Sequence, residues 1–324
     1  MSDTDLFDGR VLLVSGKGGV GKTAVAAACA RAAARSGRRV LLVEVEGRGG
    51  ISALLGISST GFEERLTRFG FRVLSITPRE ALIEYLWLFF RMRSLARALR
   101  KAKVVDVATE AIPGFRDLMV AGKLYELTEH RRTRARRADH RQPYDLVVMD
   151  APPTGQLLPL LKAPAAFREL LRVGRPARQL ASIDRLVRED TRVLLVAIPE
   201  EMSVVETLET VHAMEEAGFP RPSVVANQVL PAPFPKGTRT AGHRLDPTAL
   251  VGILDRAGVQ AKEDNAEELL EAIREQERRV ESQRRYLAKL AKAQPVLELP
   301  FLFTERFGPS EVDALAARMN GAMS

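Results

Sequence analysis

Short unbroken apolar runs alternate with longer amphipathic segments along this chain. Arg10 to Val14, Arg39 to Val45, Tyr144 to Met149, Arg192 to Ile198 and Ser223 to Ala226 are rich in Val and Leu. Runs of that kind predict strands buried on both faces of a sheet. Phe71 to Ile76 and Val296 to Leu299 are weaker strand candidates. An alanine-rich stretch, Thr23 to Ser36, predicts a helix between the first two strands, with Gly37 as its C-cap. Strand–helix–strand alternation implies parallel pairing with right-handed crossovers. Strands recur on both sides of residues 80–141, and that segment reads as helical. The expected fold is therefore α/β: one doubly wound, mostly parallel sheet spanning 1–324, with an α-helical insert at 80–141. A long charged helix is expected over Glu263 to Lys292, with Leu269, Leu270, Ile273, Val280, Leu287 and Leu290 as core candidates. Leu230 to Pro235 predicts an irregular surface loop.

Composition narrows the class. The chain has 324 residues, 46% hydrophobic and 28% charged, which excludes wholesale disorder. One cysteine, Cys29, excludes an intrachain disulfide and a cysteine-only metal cluster within one subunit. Cys29 falls inside the first helix and is expected to pack there. The start, Met1 to Arg10, is polar and acidic, without the pattern of a signal peptide. The most apolar stretch, Ala81 to Phe90, is far shorter than the ~20 residues a spanning helix needs. A cytoplasmic protein is expected. The net charge of +8 suits an acidic partner such as a nucleotide, and equally an ordinary basic surface.

Chemistry concentrates in the first turn. Gly16-Lys17-Gly18-Gly19-Val20-Gly21-Lys22-Thr23 fits G-x-x-x-x-G-K-[ST], placed after a strand and before a helix as the motif requires. Glycines let backbone N–H groups approach phosphate oxygens, and the helix N-terminus adds a positive dipole end. Gly16, Gly18, Gly19, Val20, Gly21, Lys22, Thr23 and Ala24 are therefore the expected nucleotide-binding stretch. Lys22 is expected to reach the outer phosphates of ATP, and the Thr23 hydroxyl to ligate Mg²⁺. Asp150 ends the strand Tyr144 to Met149, where an acid holds Mg²⁺ directly or through water.

Lys17, just after the first glycine, resembles the signature lysine of deviant P-loop ATPases of the SIMIBI class. Asp150 followed by Ala151-Pro152-Pro153-Thr154-Gly155-Gln156 resembles the second switch of ArsA/GET-type ATPases, D-x-A-P-T-G-H, with Gln156 in place of the histidine. Asn227-Gln228 after the strand SVVA resembles that family's Asn-Gln pair, whose asparagine contacts adenine. Leu299-Pro300-Phe301 and Glu305 to Gly308 resemble its closing segment, which borders the base; Ile112-Pro113-Gly114 is a further landmark. The resemblance implies a Mg²⁺-dependent ATPase working as a nucleotide-sandwich dimer, either a homodimer or a heterodimer with a related ATPase. It implies that Lys17 reaches the other subunit's nucleotide, and that Asn227 and Pro300 lie at the base.

Departures from the family pattern matter as much. Tail-anchored-targeting ATPases carry S-T-D-P-A-H after the second strand; here Glu44-Val45-Glu46-Gly47-Arg48-Gly49 stands there, and Glu46 falls on the water-orienting aspartate. The zinc-binding C-x-x-C and the multi-cysteine arsenite site are both missing, so arsenite extrusion is disfavoured. In the insert, Ala81 to Phe90 with Met92, Leu95 and Leu99 predicts a helix that is either deeply buried or lines a groove for a hydrophobic-helix client, which the resemblance implies. Arg131, Arg132, Arg134, Arg136, Arg137 and Arg141 form a basic run without interleaved aromatics. It reads as a solvated segment, nucleic acid is not expected as a partner, and membrane contact is expected only through a partner. His130, His140, His212 and His243 show no metal-site spacing, and no G-x-S-x-G occurs. The alternatives are a ParA/MinD-like positioning ATPase and an ATP-binding, weakly hydrolytic subunit of a hetero-complex.

Overall fold

The computed structural model describes residues 6–45, 49–58, 60–90, 112–130, 144–232, 246–259 and 263–321. In chain order the first elements are β1 (Val11–Gly16), α1 (Lys22–Arg35), β2 (Val40–Val45), α2 (Gly50–Leu55), β3 (Arg65–Leu66), β4 (Arg72–Ile76) and α3 (Pro78–Phe90). Then come α4 (Phe115–Tyr125), a π-helical turn Glu126–His130, β5 (Leu146–Asp150), α5 (Thr154–Leu170), α6 (Gly174–Glu189) and β6 (Thr191–Ala197). The remainder is α7 (Glu201–Glu216), β7 (Ser223–Val229), α8 (Pro247–Arg256), α9 (Glu263–Ala293), β8 (Val296–Pro300) and α10 (Pro309–Gly321).

The eight strands form one sheet in the order β3-β4-β2-β5-β1-β6-β7-β8. Every pairing is parallel except that of β3 with β4. This is the doubly wound, mostly parallel α/β fold expected from the apolar runs. The two-residue β3 is exposed at the edge and too short to leave an apolar signature in the sequence. Strand bounds otherwise agree with expectation to within a few residues.

Alternation along the buried strands sends side chains to two cores, one on each face. Leu12 and Val14 of β1, with Leu42 of β2 and Val148 of β5, pack under α1, α2 and α10. Val11 and Leu13, with Val43 and Met149, pack under α4, α5, α6 and α7. The alanines explain α1: Ala26, Ala27, Ala28, Ala30, Ala32 and Ala33 are all 0% exposed, as is Cys29. Small side chains let this helix sit close to the sheet while α10 packs on its outer side, where Cys29 Sγ lies 3.6 Å from Met319 Sδ. Arg31 Nε donates to Asp313 Oδ1 at 2.7 Å and locks the same pair of helices. Cys29 is thus the packing residue expected, and burial pushes its thiol pKa well up.

Helix ends follow local chemistry. Ser36 caps α1, and Gly37 takes the left-handed position after it at φ 84°. Arg38 N–H donates to Ala33 O and Gly37 N–H to Ala34 O, a Schellman closure. Thr77 caps the start of α3: its hydroxyl accepts from Glu80 N–H at 3.3 Å and donates to Glu80 Oε2 at 2.6 Å. In α9, Leu270, Val280 and Leu290 are buried as expected, Ile273 and Leu287 are half-buried, and Leu269 is exposed. Of the helical segment expected over 80–141, α3, α4 and the π turn are helical. Met92, Leu95, Leu99 and the arginine run lie outside the described residues.

A substitution in α1 tests the close packing. Ala28→Leu is expected to cost about 1–3 kcal/mol, because no space exists for three further carbons. Urea denaturation measures it, and an unchanged midpoint would refute the account of α1.

Candidate functional site

The winding of the sheet creates the site. Chain leaving β1 enters α1 on one face, while chain leaving β6 enters α7 on the other. The C-terminal ends of these neighbouring strands therefore part, which is where ligands sit in open α/β sheets. Gly16 ends β1 opposite Val196 of β6. A Cβ on Gly16 would stand 2.2 Å from Val196 O, so only glycine permits this approach. The chain turns through Lys17–Val20 and enters α1 at Gly21, whose φ of 89° is left-handed. A Cβ at Gly21 would meet Asn227 Nδ2 at 2.4 Å. Gly21 brings no capping side chain, so the first N–H groups of α1 face outward at the helix start.

Four hydrogen bonds hold the loop and its neighbours. Lys22 Nζ donates to Lys17 O at 2.9 Å, curling the ammonium over the turn. Asn227 Nδ2 donates to Val20 O at 2.9 Å, bracing the loop from the end of β7. Ser15 Oγ donates to Pro152 O at 2.6 Å, tying β1 to the segment after β5. Thr23 Oγ1 donates to Asp150 Oδ2 at 2.7 Å. The two residues expected to hold a metal, 127 positions apart in sequence, are thus already in contact.

Asp150 is not alone. Register pairs Glu44 of β2 with Asp150 of β5, and with Ser75 of β4 on its other side. Glu44 is 4% exposed, and the Thr60 hydroxyl donates to its Oε1. Burial raises the Asp150 pKa above the usual carboxylate value; the Thr23 hydrogen bond and the Lys22 charge oppose the rise, and the Glu44 charge adds to it. Two carboxylates on one face beside a helix start make an acidic pocket that a cation would relieve.

A third carboxylate, Glu206 of α7, faces the loop from the other side. Its Oε2 lies 3.8 Å from Lys17 Nζ, and its Oε1 accepts a hydrogen bond from the Thr154 hydroxyl. Neither Glu44 nor Glu206 was singled out from the sequence. A glutamate ending a strand, at a position that should be apolar, was the available signal for Glu44. Glu206 lies in an ordinary amphipathic helix and leaves none.

The remaining expected residues fall as follows. Asn227 is 5% exposed and its amide is engaged with the loop. Gln228 beside it takes φ 58°, rare for a side-chain-bearing residue, and the Val229 carbonyl accepts from Phe301 N–H at 2.8 Å. That bond sets Pro300 and Phe301 beside the Asn-Gln turn. Gln156 is exposed on the first turn of α5. Glu46 lies outside the described residues. Gly50 lies near Thr23, so that a Cβ there would meet the Thr23 methyl at 3.5 Å.

The raised Asp150 pKa yields a signed prediction. A carboxyl with a raised folded-state pKa favours folding only below that pKa, and the contribution is lost as pH rises through it. At neutral pH, Asp150→Asn should therefore stabilise the ligand-free chain by roughly 0.5–2 kcal/mol. The gain should shrink as pH is lowered and protonation removes the buried charge of Asp150. Thermal unfolding of both chains at the two pH values checks this, and a destabilised variant at neutral pH would refute it.

The family model described as anion-transporting ATPase matches residues 9–190. The chain is 36% identical over 230 residues to ATPase BagA of Mycobacterium tuberculosis, covering 69% of this chain and 66% of that one. It is 26% identical over 243 residues to an arsenical pump-driving ATPase of Acidiphilium multivorum, covering 68% of this chain and 39% of that one. An arsenical pump-driving ATPase of Escherichia coli is 26% identical over 248 residues, covering 68% and 40%. The chain thus spans 66% of the mycobacterial relative's length and less of the other two.

Proposed function

The chain belongs to the anion-transporting ATPase family, and from that premise we propose that it hydrolyses ATP in a nucleotide-sandwich dimer to change a helical client-binding surface. The observation that carries this reading is the Thr23–Asp150 contact of 2.7 Å at the mouth of the Gly16–Thr23 loop. Nothing in the fold requires a threonine hydroxyl and an aspartate to meet there, yet both are hard oxygen donors of the kind Mg²⁺ takes.

The residues fit the nucleotide. A Cβ on Gly18 would meet nothing within 4 Å, and its φ is not left-handed. The chain's own packing leaves that position open, and a phosphate wrapped by the loop supplies the reason for glycine. Loop N–H groups and Lys22 bind the β- and γ-phosphates, Lys22 giving up the Lys17 carbonyl for them. Thr23 and Asp150 would hold Mg²⁺, which when bound would neutralise charge developing on the phosphates. Water attacks the γ-phosphorus, the bridging bond to the β-phosphate breaks, and ADP and phosphate leave with the water's protons. Lys17 stabilises that charge on the partner's nucleotide, as an arginine finger does. Glu46 is the proposed water-orienting acid, and Asn227 and Pro300 border the base.

The dimer partner is a second copy or a related ATPase, and the client surface is the helical region containing α3 and α4. Among the described residues no helix is long and apolar enough to cross a membrane; a cytoplasmic location is part of the proposal. Export of arsenite is not part of the proposal. A single buried Cys29 supplies at most one thiolate, and soft As(III) calls for several.

Two variants test the reading. Lys22→Ala should abolish ATP binding in calorimetry, and unchanged affinity would overturn the assignment. Lys17→Ala should leave binding intact and lower turnover by about 10³-fold. Equal turnover in the two chains would remove the role across the dimer.

A further inference from the structure

Sheet order sets three loops side by side. β5, β1 and β6 are consecutive strands, and each sends one polar group to the same point. Thr154 follows β5, Lys17 follows β1, and Glu206 follows β6 on α7. One carboxylate serves both neighbours: Oε1 accepts from the Thr154 hydroxyl, and Oε2 lies 3.8 Å from Lys17 Nζ. Thr154 is 5% exposed, whereas the Lys17 and Glu206 side chains are 38% and 34% exposed.

We propose that Glu206 is an internal latch. In the ligand-free chain it holds Lys17 against its own subunit, and it binds the same signal to Thr154 at the start of α5. This rests on the reading that Lys17 acts across a dimer. A lysine paired within its own subunit must exchange a carboxylate for a partner's phosphates before it works in trans. The pair is partly exposed, so the exchange is light: pairs of this kind bias an equilibrium by about two- to five-fold. The latch therefore sets a threshold and does not block the reaction. It also couples two elements, since Glu206 freed from Lys17 carries its full charge to the Thr154 hydroxyl. The coupling is reciprocal, so ordering of the Thr154 segment changes the hold on Lys17. Glu206 acts through Lys17 and Thr154, and is a positioning residue.

Glu206→Gln is the informative variant. It keeps an oxygen acceptor for Thr154 and removes the charge facing Lys17. With ATP and Mg²⁺ present, the protein concentration for half-maximal dimerisation in sedimentation should fall about two- to five-fold, at unchanged ATP affinity. In a Lys17→Ala background the same substitution should change nothing, an outcome that a merely structural role for Glu206 would not produce. Acylation of the Lys17 amine, followed by mass spectrometry without nucleotide, should be faster in Glu206→Gln. No change in labelling would refute the contact. A shift that persists without Lys17, or no shift, would refute the latch while leaving the ATPase reading in place. Failure of the wild-type chain to bind ATP would overturn that reading, and this one with it. A thermal melt confirms folding, and Glu206→Asp, with a shorter but charged side chain, should fall between wild type and Glu206→Gln.

Discussion

The parallel pairing of β1 between β5 and β6 is the constraint on which the site depends. Register places Val14 beside Asp150 and Gly16 beside Val196. The loop that follows β1 is thereby bounded on one side by an acid and on the other by a backbone carbonyl. Gly16 is required by the second neighbour. The first is reached because Asp150 shares the parity of Leu146 and Val148, which face α1. A one-residue slip of β5 would turn Asp150 to the opposite face, away from Thr23. The strands beneath are 0–2% exposed in β1 and fully buried through Met149 of β5, so the register is strongly held.

That rigidity carries an electrostatic cost. Glu44 and Asp150 stand side by side on the α1 face, and at Asp150 the Thr23 hydrogen bond and the Lys22 charge offset only part of the cost of burial. A fold selected only for stability would place apolar or neutral residues there. Carboxylates retained at a strand end under desolvation belong to functional sites more often than to packing. Ser75, next in register beyond Glu44, has a buried hydroxyl without a hydrogen-bond partner, another sign that this corner is not optimised for the free chain alone.

The legible part of the sequence is the part that repeats a physical rule locally. Buried parallel strands are continuous apolar runs, so β1, β2, β5, β6 and β7 stand out, and β4 and β8 are legible more weakly. Glycines with lysine and threonine between strand and helix mark the phosphate loop, and a strand-ending aspartate marks its counterpart. What was not legible depends on distance in the chain. Thr23 and Asp150, or Lys17 and Glu206, are set together only by strand order, and no short window encodes that order. The edge strand Arg65–Leu66 pairs through two residues and has no pattern to read. Leu269 follows the apolar stripe of α9 but is exposed, because at this level α8 covers the adjacent stripe through Ala266 and Leu270.

The two faces of the sheet are built for different tasks. On one, α1 is held by buried alanines, by α10, and by the Arg31–Asp313 pair; nothing there has room to shift. On the other, the polar contacts of the crevice end in α5 and α7. Thr154 begins α5, and the far end of that helix meets α4, where the Phe167 and Phe115 rings lie 6.0 Å apart. In α4, Lys123 is buried between Glu84 of α3 and Glu126, at 3.0 Å from the latter. A buried ion triad tolerates few geometries, because a lysine parted from its carboxylates bears the full cost of desolvation. Helix α5 therefore spans from Thr154, which shares a carboxylate with Lys17, to its contact with α4 at Phe115. The α1 side of the sheet is close-packed and apolar beneath the loop, whereas the contacts of Glu206 with Lys17 and Thr154 lie on the α5 and α7 side. The asymmetry follows from β1 and β6 sending their helices to opposite faces, the same reversal that opens the crevice.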